Sequence, residues 1–400
     1  MPKVLFINGS AHGHINPTLP LVKELADRGE EVFYFTTDQF KEKVTAAGAV
    51  FVDAGERLTA FNKNYRPSGS HPFYVLIDYI LGTDQVIAPL VLGKAREIGV
   101  DYIIHDSLFG AGNIVGRKLD IPAICSCTSF AMGRLPMPPH MLEPGFHPEL
   151  DALYEKIRFA AQEWGVSGLS IMDIFFKKSG LNIVFTSKEF QPDAGSFDGS
   201  FKFVGASISE RHETVDFPVN GLEGKTVVYV SMGTINNNAS EFYKKCMDAF
   251  AGTDLKVVLS IGKKTDMAAL GRVPDNFMME RYVPQLDVLK KTGVFISHGG
   301  LNSVNEAMYF GVPVIAVPQG NDQFMVSRQL SAVGAGLSLK MEEVTPQMLK
   351  ESVDKILQDD SYKAASRRIG ESFRKAGGYK AAADYILGYR ETGKRDSGHL

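Results

Sequence analysis

Arg281-Tyr282-Val283-Pro284-Gln285, Phe295-Ile296-Ser297-His298-Gly299-Gly300-Leu301-Asn302-Ser303-Val304-Asn305-Glu306, Gly311-Val312-Pro313, Pro318 and Asp322-Gln323 follow one another in the stretch that decides how this chain reads. Val294 to Ile296 is a short apolar strand and His298 to Leu301 a glycine-bearing turn. Asn302-Ser303 then starts a helix, with Glu306 three residues after Ser303 in an N-terminal capping pattern. A turn that ends at a helix N-terminus aims free backbone N–H groups and the positive end of the helix dipole at one point, and such a point binds phosphate oxygens. Strand, glycine turn and helix recur in every doubly wound protein, and a lone turn histidine is usually structural. Coincidence explains the full order poorly: Pro284-Gln285 before the turn, Glu306 on the helix, Asp322-Gln323 after the next strand. The segment therefore reads as a diphosphate site.

Strand-like runs surround it at Val227 to Val230, Val257 to Ser260, Phe277 to Val283 and Val314 to Val317, and Ser352 to Lys375 and Lys380 to Tyr389 read as helices before a polar tail, Glu391 to Leu400. Upstream, Val4 to Ile7, Val32 to Thr36, Val50 to Asp53, Tyr102 to His105 and Ile183 to Thr186 read as strands. Pro17 to Arg28 reads as a helix closed by Gly29. Strands alternating with helices imply parallel βαβ units. The fold class is α/β, two doubly wound halves, and open parallel sheets bind ligands beyond the carboxyl ends of their strands. Two such sheets facing one another would enclose a cleft. Arg57 to Pro72 and the proline-rich Met132 to Pro148 break the rhythm and read as irregular loops, while Ser207 to Gly224 suits a linker.

A chain of 400 residues is too long for one ordinary core. With 44% hydrophobic and 22% charged residues it is ordinary globular material, and a net charge of −3 favours neither nucleic acid nor an anionic membrane. No apolar run reads as long enough to cross a bilayer, the N-terminus reads as a strand and not a signal peptide, and a cytoplasmic protein without a membrane anchor is expected. The three cysteines, Cys125, Cys127 and Cys246, fit a reducing compartment, and Cys125 and Cys127 share one face of the run Ala123 to Thr128 as core thiols.

At the end of the first strand stands Asn8-Gly9-Ser10-Ala11-His12-Gly13-His14-Ile15-Asn16-Pro17. Paired histidines suggest a metal, but two ligands without a carboxylate cluster are too few. Asp106, ending the strand Tyr102 to His105, falls on the same rim. A carboxylate bonded to one imidazole nitrogen fixes the tautomer and raises the basicity of the other, which suits a histidine for taking a proton from a hydroxyl.

With both halves in view the chain resembles the inverting glycosyltransferases of the two-Rossmann-domain (GT-B) type, and most closely their soluble bacterial branch acting on macrolides and flavonoids. The resemblance spans nearly the whole chain and is most specific in Tyr282 to Gln323 and in Gly13-His14-Ile15-Asn16-Pro17. It implies an acceptor-binding domain over 1–206, a linker over 207–224, a donor-binding domain over 225–376 and a helix in 377–400 returning to the first domain. It also implies that His14 is the general base, held in a dyad by Asp106. Tyr282 would stack on the uracil, Val283 would contact the base through its backbone, and Gln285 and Glu306 would meet the ribose. His298, Gly300, Asn302 and Ser303 would hold the diphosphate with Ser231 and Thr234, and Asp322 and Gln323 would bind the sugar hydroxyls. The chain departs from the plant pattern at Tyr282 and Leu301, where tryptophans are usual, at Gly299, where cysteine is usual, and in a shorter Lys290 to Gly293 segment.

The expected partners are a UDP-sugar co-substrate and a small hydroxylated acceptor, with no further cofactor and no metal. Phe61, Tyr65, Phe73, Phe109, Phe130 and Met132 lie in or beside the irregular segments and would suit an apolar acceptor, although most of 26 phenylalanines must fill cores. The expected reaction is hexose transfer from UDP-glucose to a flavonoid, phenol or macrolide hydroxyl. The alternatives are a nucleotide-sugar isomerase or epimerase of the same architecture and an inactive small-molecule-binding protein.

Overall fold

A computed structural model of the chain describes residues 1–9, 11–66, 69–109, 111–135, 137–209, 217–233, 239–320 and 322–392. The chain divides into two units. The first comprises Met1–Phe185, Gly195–Ser207 and the residues from Tyr379 onward, and the second comprises Thr186–Ala194 and Ile208–Gly378.

In the first unit β1 (Lys3–Ile7), β2 (Glu31–Thr36), β3 (Val50–Asp53), β4 (Tyr102–Asp106), β5 (Ala123–Cys127), β6 (Leu181–Val184) and β7 (Phe201–Phe203) form a sheet of order β3-β2-β1-β4-β5-β6-β7. In the second, β8 (Val227–Ser231), β9 (Lys256–Ser260), β10 (Phe277–Glu280), β11 (Thr292–Ser297), β12 (Val314–Ala316) and β13 (Gly336–Ser338) form one of order β10-β9-β8-β11-β12-β13. The central pairs are parallel in both. Val4, Leu5, Phe6 and Ile7 in one sheet, and Val227, Val228, Tyr229 and Val230 in the other, are sealed from solvent. Strands covered on both faces need such continuous apolar runs. Each sheet reverses its winding once, between β1 and β4 and between β8 and β11, and at that switch point the loops diverge and leave a crevice at the carboxyl ends.

Several expectations are corrected. The helix expected from Pro17 begins at Leu19, with Pro20 in its first turn, because His12–Ile15 forms a short helix of its own and Thr18 Oγ1 donates to the Ile15 carbonyl at 2.8 Å. Arg57 to Pro72 is not irregular throughout: Gly55–Asn64 is a helix, whose first N–H donates to Asp53 Oδ1 at 3.0 Å. β10 stops at Glu280, short of Val283, although the Gly262 N–H still donates to the Arg281 carbonyl at 2.9 Å. Ser352 to Lys375 is two helices, Pro346–Gln358 and Asp360–Lys375, broken at Asp359, which accepts from the Ser361 N–H. The strands β7 and β13, three residues each, were not anticipated. Thr186–Ala194, expected in the first domain, belongs to the second unit: Phe190 packs edge-on against Phe373 and Ser372 Oγ donates to Ser187 Oγ at 2.6 Å.

Among the described residues one helix, Pro72–Ile98, is long and apolar enough by length and composition to cross a membrane, contrary to the expectation that no segment is. Here Ile77, Ile80, Leu81, Ile87 and Val91 fill the core of the first unit, and Asp84 forms a fully buried ion pair with Lys177. Removing either partner would leave a buried charge unpaired, a strongly destabilising change. In the helix Gly378–Thr392, Ala382, Ala383 and Ile386 pack against the other face of the same sheet.

Candidate active site

The first unit places two predicted residues on either side of its switch point. His14 rides on the short helix that follows β1, and Asp106 is the last residue of β4. His14 Nδ1 lies 2.7 Å from Asp106 Oδ2, with the carboxylate sealed from solvent and the imidazole side chain 28% exposed. Asp106 Oδ1 accepts the Leu108 N–H at 2.8 Å, so the carboxylate is clamped from its far side as well. An ionised carboxylate can only accept, hence the ring proton sits on Nδ1 and Nε2 keeps a lone pair. Thr128, just beyond β5, brings Oγ1 to 3.0 Å from the same Nδ1.

The backbone under His14 is held by a directed chain of hydrogen bonds. Asn8 Nδ2 donates to the His14 carbonyl at 2.9 Å and also meets Tyr34 Oη at 3.0 Å, Tyr34 Oη lies 2.7 Å from Thr18 Oγ1, and Thr18 closes on Ile15. Burial pushes the Tyr34 hydroxyl well above its usual range and keeps it protonated as a donor. The neighbouring His105 is a different case. Its ring is sealed between the Asp106 carbonyl and Ser179 Oγ, and burial lowers its pKa to about 4.

The second unit repeats the arrangement at its own switch point, with Ser231 at the end of β8 and His298 after β11. Gly299, at φ +80°, turns the chain into the helix Leu301–Tyr309. The ring of His298 fills the space that two glycines leave open: a Cβ on Gly233 would stand 2.7 Å from its Cε1, and one on Gly300 2.5 Å from its Nε2. Burial lowers the His298 pKa to about 4, against the opposing pull of its bond to the Ser231 carbonyl, so the ring is neutral at pH 7. The expected capping pattern does not form. Gly300 is the N-cap, no side chain caps the helix, and Asn302 and Ser303 stand half-buried in the first turn. Glu306 turns instead to Gln285, whose Nε2 donates to Glu306 Oε2 at 2.6 Å while Tyr229 Oη donates to Gln285 Oε1 at 3.0 Å.

Tyr282 is 38% exposed beyond β10, with Lys263 Nζ 5.8 Å from its ring centroid, and the next residue, Val283, is buried. Asp322 stands at the N-cap of Gln323–Ala332, and Gln323 Oε1 accepts the Gln319 N–H at 2.8 Å. Thr234 lies outside the described residues.

The aromatics proposed for an acceptor separate into three groups. Phe109 stands against Gly9, where a Cβ would meet its ring at 3.3 Å, beside the His14 segment. Phe61 and Tyr65 form a half-exposed cluster with Tyr79 on the helices Gly55–Asn64 and Pro72–Ile98. Phe73 packs on Phe175 in the core and Phe130 is buried, while Met132 is half-buried against that core. His12 sets its ring edge-on to Phe40, and among the described residues no group of three or more His, Cys, Asp or Glu side chains that could hold a metal ion occurs. Sequence reasoning missed Thr128, Tyr229 and Gly233. Only a position just past a strand's carboxyl end could have marked Thr128 and Gly233, and Tyr229, in the middle of β8, carries no such mark.

The family model for the erythromycin biosynthesis protein CIII-like C-terminal domain matches residues 244–375. An uncharacterized UDP-glucosyltransferase of Bacillus subtilis (strain 168), YdhE, is 37% identical over 94% of this chain and 95% of its own. The NDP-glycosyltransferase YjiC of the same organism is 32% identical over 96% of both chains. The crystal structure of the glycosyltransferase of kitacinnamycin is similar with a TM-score of 0.83 at 27% identity, over 96% of this chain and 99% of that one. These relatives are transferases, so the isomerase alternative is not favoured. With full-length identity at this level, the chain belongs to the GT-B UDP-glycosyltransferases, enzymes that move sugars from nucleotide donors to small molecules.

Proposed function

We propose that this enzyme transfers glucose from UDP-glucose, with inversion, to a hydroxyl of a small hydrophobic acceptor such as a flavonoid, phenol or macrolide. The observation that carries the reading is the contact of His14 with Asp106 at 2.7 Å, which fixes the ring proton on Nδ1 and the basic lone pair on Nε2 of a partly exposed ring. In this mechanism Nε2 takes the acceptor proton as the acceptor oxygen attacks the anomeric carbon. The bond to the diphosphate breaks on the opposite face, and its electron pair leaves with UDP. Stabilisation where charge develops is usually the largest catalytic contribution. The helix N-terminus at Gly300, with Asn302, Ser303 and Ser231, supplies donors for that charge. An arriving diphosphate would pull the His298 pKa upward and favour its protonated, donating form.

The Gln285 and Glu306 pair offers acceptor atoms for ribose hydroxyls, and the exposed Tyr282 ring a platform for the base. Asp322 and Gln323 are assigned to the glucose hydroxyls. The oxygen of Gln323 is already engaged, so its NH₂ would donate. The match to an erythromycin-pathway domain supports a macrolide-sized acceptor, and Phe109 beside Gly9 gives it an apolar wall near His14. Buried free thiols fit a cytoplasmic enzyme. The test is a panel of UDP- and TDP-sugars against phenols, flavonoids and macrolides, read by mass, with and without excess EDTA. Transfer of glucose to at least one acceptor class, undiminished by EDTA, is expected. Activity restored only by magnesium or manganese, or turnover of donor alone to an isomeric nucleotide sugar, would overturn the reading.

A further inference from the structure

We propose that Thr128 is a positioning residue of the base, a third member whose hydroxyl holds His14 and Asp106 in register. The inference rests on the assignment of His14 as the base. Three atoms form a closed triangle: His14 Nδ1 to Asp106 Oδ2 is 2.7 Å, His14 Nδ1 to Thr128 Oγ1 is 3.0 Å, and Thr128 Oγ1 to Asp106 Oδ2 is 3.4 Å. The proton count allows one arrangement. Asp106 has no proton to give, so the Nδ1–H is shared between the carboxylate and a lone pair of Thr128, and the threonine's own proton points to Oδ2.

The triangle is rigidly mounted. Thr128 is 4% exposed and follows β5, which is locked to β4 with Ser126 opposite Asp106. The Leu108 N–H fixes the other carboxylate oxygen. A hydroxyl in this place does more when the base has taken its proton, because hydrogen bonds to an imidazolium are stronger than those to a neutral ring. An interaction that strengthens along the reaction raises kcat and leaves ground-state binding nearly alone.

The test uses the full-length enzyme with UDP-glucose and a series of acceptors from an unactivated alcohol to phenols of falling pKa. Thr128→Val removes the hydroxyl at constant shape, Thr128→Ala removes it without retaining the branch, and Thr128→Ser restores it. The valine and alanine variants should lose about tenfold in kcat on the alcohol, with the donor KM within about twofold of wild type. The loss should shrink as the acceptor becomes acidic enough to ionise unaided, and serine should recover most of the rate. An equal loss on all acceptors, an unchanged alcohol rate, or a rise confined to the donor KM would overturn the proposal, the last by making the hydroxyl a donor contact. His14→Ala in the same series separates the two levels: if it too transfers to the alcohol, the base assignment fails, and not Thr128 alone.

Discussion

Replacing Gly300 by alanine tests whether the His298 ring is where diphosphate recognition happens. Gly300 has φ −65° and ψ 135°, a backbone that alanine adopts freely, so the substitution acts almost solely through its new methyl group. That methyl would lie 2.5 Å from His298 Nε2, 3.1 Å from Cε1 and 3.4 Å from Cδ2. Restoring ordinary contact moves the ring by about 0.9 Å, since overlap at this range is steeply repulsive. On its other side the ring faces Gly233, where a Cβ would stand 2.7 Å from Cε1, so the room for retreat there is no more than a missing side chain leaves. Overpacking of this kind costs about 1–3 kcal/mol of stability. Losing an aligned hydrogen bond to a charged phosphate costs about 1.5–3 kcal/mol, roughly 10- to 100-fold in UDP affinity. Calorimetric titration with UDP measures this directly, with uridine as the control that lacks the phosphates. UDP should weaken, uridine should not, and in a His298→Ala background the alanine at 300 should cost little more. Wild-type UDP affinity, an equal loss for uridine, or a full additional loss without the imidazole would each refute the reasoning.

Three further outcomes are expected. His14→Ala should lower transfer to alcohols by about 10²–10⁴-fold with UDP affinity unchanged, and Asp106→Ala should cost less, because it orients the base without moving the proton; steady-state kinetics checks both. UDP-glucose should outcompete UDP-glucuronic acid, and Asp322→Ala should weaken glucose transfer, because a carboxylate facing the sugar hydrogen-bonds neutral hydroxyls and repels a second carboxylate; a competition assay in which the glucuronic donor wins would remove Asp322 from the sugar site. Acid should destabilise the first unit through His105. Its folded pKa near 4 lies below the ordinary 6.5, so below pH 6.5 the unfolded chain takes a proton that the folded ring refuses. Stability is then unaffected above that pH and falls by on the order of 3 kcal/mol on the way to pH 4, and His105→Gln should flatten that fall in urea unfolding.

Most of the strands are legible in the sequence because parallel strands buried on both faces leave uninterrupted apolar runs, as in Val4 to Ile7 and Val227 to Val230. Where that signal weakens, the reading fails for local reasons. β7 and β13 are too short to show a run. The break at Asp359 lies inside an otherwise continuous helical pattern, and the helix Pro72–Ile98 hides its length behind polar residues such as Asp78 and Asp84, the latter neutralised by a lysine 93 positions away. Phe73 and Phe109 look alike as residues, yet one is sealed against Phe175 and the other stands beside Gly9.

By itself the sequence determines the alternation that makes two doubly wound sheets and the strand ends at which a ligand must lie, since the carboxyl rim of a parallel sheet follows from chain direction alone. His14, Asp106, Ser231 and His298 are therefore marked as rim residues before any coordinates exist. Only tertiary structure decides which rim residues touch. Asp106 meets His14 across 92 positions, Thr128 joins them across 114, and Glu306 abandons its own helix terminus for Gln285. Strand order sets those contacts, and strand order depends on how the helices pack over the sheet, a global property that no local window of residues contains.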